Sequence, residues 1–136
     1  MPKRSSIVTV LVVDPDSVHR QSMRNTLRAA GYRVLEAVDC RYAEYVLHQN
    51  QGQIDLLLSA ISLAGSNGYE LARKLVDAEP KLKVLFVSGE TGAKVRRYYS
   101  TPWAELQTLT RPFEPEELLQ RVRVILESDE LAAETS

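Results

Sequence analysis

The first hydrophobic run, IVTVLVV at residues 7–13, is rich in β-branched residues and almost unbroken, the pattern of a strand covered on both faces in a parallel sheet. Over 16–30 the apolar residues Val18, Met23, Leu27 and Ala30 recur near helical spacing. Pro15 stands where a first helical turn accepts proline, and Gly31 where a C-terminal cap is needed. A short strand is predicted at 32–37, then a helix at 41–49 with Tyr42, Tyr45 and Val46 on its inner side, ended by 50–52. A second apolar run at 54–59 predicts another buried strand, and a loop through Gly65, Asn67 and Gly68 leads to a helix over 69–78 that Pro80 closes. A fourth strand is predicted at 84–88, a weak helix at 94–99 and a short strand at 106–110. After Arg111, Pro112 and Phe113 a last helix is predicted from Glu116, with Leu118, Val122, Ile125 and Leu126 inward.

Strand and helix thus alternate five times. Short strands separated by helices imply an α/β fold: a five-stranded parallel sheet, doubly wound, with right-handed crossovers and helices on both faces. Sites in such sheets lie at the carboxyl ends of the strands, near the switch in strand order. Asp14, Ala60, Ser88 and Arg111 each stand at or just past a predicted strand end, so four ends converge on one crevice.

Composition narrows the setting. At 136 residues the chain has the length of one domain with a real core, expected over 7–127 between flexible ends at 1–6 and 128–136. A formal net charge of −1 shows no basic excess for a polyanion, so nucleic acid is not an expected partner. Lys3 and Arg4 before the first apolar run copy a secretion signal only superficially, since the run stops at Asp14 without a small-residue cleavage site. No stretch is long enough to span a membrane, and Cys40, the only cysteine, cannot form an internal disulfide; a cytoplasmic setting is expected. His19 and His48 lack ligand-spaced company and are assigned no metal role.

Four stretches at the strand ends, LVVDPD at 11–16, DLLLSAISLAGSNGYEL at 55–71, VLFVSGE at 84–90 and LTRPF at 109–113, resemble the receiver domain of two-component response regulators. They occur in order and at suitable separations, and the likeness covers residues 7–127. The resemblance implies a flavodoxin-like (βα)5 receiver fold and phosphoryl transfer to a carboxylate, which needs a nucleophile, a divalent cation and groups that grip the transferred oxygens. In the family an acidic pair after strand one holds magnesium and an aspartate after strand three attacks. A Ser or Thr after strand four and a Lys after strand five grip the phosphoryl group. SGE and RPFEPEEL also resemble receivers attached to hybrid sensor kinases, so the chain can be one piece of a longer protein.

The chain departs from that pattern where the chemistry is done. Ala60 stands at the place of the attacking aspartate, and a methyl group neither attacks phosphorus nor ligates a metal. Asp14 keeps the first place of the acidic pair while Pro15 fills the second, so magnesium binding at Asp14 is expected to be weak or absent and no cofactor is expected. Asp16 can compensate or cap the first helix; the two readings stand level. Ser88 matches the hydroxyl position, and without an acceptor it reads as a strand-end hydroxyl bonded to backbone. Arg111 replaces the lysine with a planar fork of different reach, suited to pairing with Asp14 or Asp16. Thr108 stands where the family usually has its switching aromatic, and Ala64 where a loop proline is common. Pro112 is kept, and the resemblance implies a cis Arg111–Pro112 bond.

These residues point to a receiver-like signalling domain without its phosphoacceptor, a pseudo-receiver that is no enzyme and meets a histidine kinase or an effector domain through protein contacts, with a homodimer as a further option. Tyr98, Tyr99 and Trp103 cluster near the surface through which receivers pair or meet effectors; equally, they cover a poorly anchored helix. Three alternatives stay open. A displaced residue such as Asp14, Asp16 or Ser59 accepts the phosphoryl group; or Ala60 is an engineered Asp-to-Ala exchange in an active receiver, against which Pro15, Thr108 and Arg111 depart independently; or the crevice is a small-ligand pocket, although it lacks a glycine-rich phosphate loop.

Overall fold

The computed structural model describes residues 7–63, 65–89 and 107–135, with 129–135 described as backbone only. In chain order the elements are β1 (Thr9–Val13), α1 (Ser17–Ala29), β2 (Arg33–Ala37), α2 (Cys40–Gln49), β3 (Leu56–Ala60), β4 (Ser62–Leu63), β5 (Ser66–Asn67), α3 (Gly68–Ala78), β6 (Lys83–Ser88), β7 (Thr108–Thr110) and α4 (Pro115–Thr135). The main sheet has five strands in the order β2-β1-β3-β6-β7, every neighbouring pair parallel. This is the five-stranded, doubly wound parallel sheet that the alternation implied.

Every residue of β1 and β3 is buried, because the two strands lie inside the sheet with helices over both faces. Side-chain alternation splits the apolar residues between two cores. Leu11, Leu57 and Phe86 face α2 and α3, whereas Val12, Leu58 and Val87 face Met23 and Leu27 of α1 and Leu118 and Val122 of α4. Beyond α1 the chain reverses through Gly31 at φ +98°, with Gly31 N–H donating to the Arg28 carbonyl and Tyr32 N–H to the Leu27 carbonyl, a Schellman closure that only glycine enters without strain.

Several expected details are corrected. Pro15 lies before α1, not in its first turn, because Asp16 is the N-cap, its side chain accepting the His19 amide. Val18 is 72% exposed and Ala30 is the cap residue, which leaves Met23 and Leu27 as the buried contacts of that helix. On α2 the inward face is Ala43, Val46 and Leu47, and Tyr42 and Tyr45 are 50% and 54% exposed, their rings 5.6 Å apart. Ala43, Val46 and Leu47 pack into the core on that side of the sheet, and the two phenols lie on the outer face of the helix. The loop after β3 contains a short antiparallel hairpin, β4 with β5, that no periodicity announced. β7 is shorter than the predicted 106–110, and α4 runs past residue 127 with helical backbone through the segment expected to be a loose tail. The expected flexible start at 1–6 and the weak helix at 94–99 lie outside the described residues.

Leu58 is fully buried between the sheet and α1 and α4, so Leu58→Ala is expected to cost about 2–5 kcal/mol, measured by denaturant unfolding. Tyr45→Ala on the outer face of α2 is expected to change stability by no more than about 0.5 kcal/mol in the same assay.

Candidate functional site

β1, β3, β6 and β7 are consecutive in the sheet, and the register places Val13 beside Ser59, Ala60 beside Val87 and Ser88 beside Thr110. Asp14, Ala60, Ser88 and Arg111 therefore stand in a row along the carboxyl edge, as the sequence pattern anticipated. Ala60 and Ser88 are the last residues of their strands, and Asp14 and Arg111 follow theirs.

Asp14 is only 2% exposed, and each of its polar atoms is bonded to a different part of the chain. Its amide donates to the Ala37 carbonyl at 3.1 Å, and its own carbonyl accepts Arg20 Nη1 at 2.8 Å. Carboxylate Oδ1 accepts the Asp16 amide at 2.9 Å, and Oδ2 accepts Arg111 Nη2 at 2.8 Å. Of the two carboxylates open to Arg111, the structure selects Asp14, at a distance typical of a charge-assisted bond. Asp16 is the helix cap. The His19 amide bonded to its carboxylate is the main cause that holds the Asp16 pKa below its ordinary value of 3.8.

Ala60 is buried, its carbonyl accepting the Ser59 hydroxyl at 2.8 Å. The chain doubles back so closely that Gly68 N–H donates to the Ile61 carbonyl at 2.7 Å, and a Cβ on Gly68 would overlap the Ala60 carbonyl oxygen. Gly68 is thus required by proximity and not by an unusual φ. Ser88 is buried, and its carbonyl accepts the Arg111 amide at 2.8 Å, which seats Arg111 at the end of β7. The Arg111–Pro112 bond is cis. Thr108 is buried with its Oγ1 unpartnered among the described residues, and its carbonyl accepts Arg121 Nη1 at 2.9 Å. Ala64, Tyr98, Tyr99 and Trp103 lie outside the described residues.

The sequence reading missed a supporting group. Arg20 and Arg24 of α1 both reach Glu36 of β2, at 3.2 Å each, so Arg20 ties the Asp14 carbonyl to the edge strand. The spacing of the two arginines by four residues, which places them on one helix face, was the single available signal. Their partner, on a strand, had none.

A family model for the response regulator receiver domain matches residues 10–123. The chain belongs to this family. Among curated proteins it is 30% identical over 117 residues to the aerobic respiration control protein ArcA of Escherichia coli, covering 86% of this chain and 48% of ArcA. It is 28% identical over 126 residues to the sensor kinase CckA of Brucella abortus, covering 93% of this chain and 13% of CckA. The receiver thus spans about half the length of ArcA and a small part of CckA. Among solved structures, the receiver domain of the hybrid histidine kinase CckA superposes with a TM-score of 0.72 at 30% identity, covering 87% of this chain and 98% of that one. A receiver domain from Clostridium thermocellum superposes with a TM-score of 0.80 at 17% identity, covering 93% and 99%, a likeness of fold alone.

The residues of this receiver do not fit a magnesium ion. An octahedral hard cation needs several oxygens in strict geometry, while Pro15 and Ala60 offer no side-chain oxygen and both Asp14 oxygens are already bonded. Among the described residues no group of three or more His, Cys, Asp or Glu could hold a metal.

The lowered Asp16 pKa fixes the sign of an acid effect. A carboxylate whose folded pKa is depressed contributes stability above its unfolded value of 3.8 and loses it as pH falls through the lower folded value. Thermal melts at decreasing pH are expected to show this loss below 3.8, with a shallower slope in Asp16→Asn, whose amide caps without titrating.

Proposed function

We propose that this receiver is a pseudo-receiver, a signalling domain of a two-component or phosphorelay system that takes no phosphoryl group at the end of β3 and acts by binding other proteins. One observation carries the reading: the last residue of β3, in the place of the family's attacking aspartate, is Ala60. A methyl carbon has no lone pair to offer phosphorus. The neighbours support the same conclusion. Asp14 has both oxygens bonded, Asp16 is committed to the α1 cap, and the Ser59 hydroxyl is buried against the Ala60 carbonyl. Asp14 and Ser59 thus have their side-chain oxygens bonded, Asp16 lies two residues beyond Asp14 at the helix cap, and attack requires an oxygen aligned where Ala60 stands.

The partners that fit are a histidine kinase or an effector domain, with pairing between two copies as the remaining possibility. ArcA and CckA are themselves a control protein and a sensor kinase, so both kinds of neighbour occur among the relatives. A shallow concavity of about 400 Å³ beside Arg111, lined by Met23, Pro112 and Phe113 among others, offers a partner side chain apolar contact at the edge. On this reading the domain works as a binding module and not as an enzyme, because Ala60 stands in the nucleophile's place. A formal net charge of −1 gives a nucleic acid no electrostatic purchase. No helix among the described residues is long and apolar enough to cross a membrane. The cytoplasmic setting in this proposal rests on the single cysteine, which fits a reducing compartment.

Incubation with acetyl phosphate and magnesium, or with an autophosphorylated histidine kinase, is expected to leave the intact mass unchanged. Stoichiometric acyl phosphate would refute the reading. Ala60→Asp alone is expected to label far below one phosphoryl group per chain, because Pro15 and Arg111 still disable the cation site; full labelling would mean that position 60 is the only defect.

A further inference from the structure

The carboxyl edge has a feature that the missing acceptor does not require. Asp14 follows β1 and Arg111 follows β7, 97 residues apart in sequence, and β3 and β6 lie between the two strands. The 2.8 Å bond from Arg111 Nη2 to Asp14 Oδ2 therefore spans the edge and joins its two sides directly. A carboxylate as buried as Asp14 requires a compensating cation. In relatives with an intact acidic pair that cation is a metal ion from solution. Here both carboxylate oxygens are bonded within the chain, one to the Asp16 amide and one to the guanidinium.

We infer that the Arg111 guanidinium is the resident cation of this receiver, a covalently attached replacement for the divalent ion that braces β1 against the β7–α4 segment. The brace has anchors at both ends. On the β1 side Arg20 holds the Asp14 carbonyl and is itself held by Glu36. On the β7 side the Arg111 amide is fixed to the Ser88 carbonyl, and the Thr108 carbonyl at the start of the strand is bonded to Arg121 of α4. A guanidinium whose position is set through its own backbone and through Asp14 cannot exchange with solvent as a bound ion does. The position of the β7–α4 segment against β1 is therefore independent of divalent cations. A magnesium ion approaching Asp14 would have to displace a bonded guanidinium and then sit beside its positive charge.

Thermal unfolding of the full chain, with no phosphodonor present, tests this separately from the signalling reading. A failure of that reading would appear as phosphoryl labelling and would leave the melts unchanged. The native Tm is expected not to move with millimolar magnesium chloride. Arg111→Met, which keeps much of the side-chain bulk but leaves Asp14 buried without a cation, is expected to lower Tm by roughly 5–10 °C. Asp14→Asn combined with Arg111→Met is expected to melt above Arg111→Met alone, since the uncompensated charge is gone. Three results would each overturn the inference: a magnesium-dependent rise in the native Tm, a double variant that melts no higher than Arg111→Met, or an Arg111→Met protein as stable as the native one. If Arg111→Met does not fold, a folded double variant supports the inference, and a double variant that also fails to fold overturns it.

Discussion

A carboxylate held almost out of water at the end of a central strand must be neutralised, and in this receiver the neutralising charge comes from the far side of the same sheet edge. Asp14 is 2% exposed and Arg111 26% exposed by side chain, so the pair lies at the boundary between interior and solvent. There the attraction exceeds that of a surface ion pair, and part of the guanidinium's hydration is retained. Such a pair adds little net stability relative to an apolar replacement of both partners, yet loss of one partner strands the other at a cost of about 3–5 kcal/mol when burial is complete. Its value is positional. It determines where the start of α1 and the end of β7 lie relative to one another.

Around that constraint the rest of the crevice is closed by backbone. The chain after β3 folds into the β4–β5 hairpin, returns through Gly68 against the Ala60 carbonyl and enters α3 with Asn67 as its cap. Ile61 N–H donates to the Val87 carbonyl, which carries the β3–β6 pairing one residue past the strand. In an active receiver this loop borders the reacting centre; here it borders a methyl group. The Thr108 hydroxyl on β7 is buried and has no hydrogen-bond partner among the described residues.

The platform beneath the crevice is built from simpler forces. Two apolar layers flank the sheet, and the alternation of side chains along β1, β3 and β6 assigns each residue to one of them. The outward tyrosines of α2 show how little of that assignment is chosen by residue type alone. Aromatic surface is worth burying in general, but the space under α2 is filled by Ala43, Val46 and Leu47.

What the chain by itself determined is whatever depends on neighbours in sequence. The β-branched runs specified buried parallel strands, and Gly31 specified the closure of α1, because those choices rest on local sterics. Above all, residue 60 is an alanine, whose methyl group is no nucleophile whatever the fold around it. What only the tertiary structure decided is which groups meet. It chose Asp14 over Asp16 for Arg111, recruited Arg20 and Glu36 to hold Asp14, turned Tyr42 and Tyr45 to solvent and closed the loop after β3 into a hairpin. Each of these depends on distances between strands or helices far apart in the chain, and no period or propensity along one segment encodes such a distance.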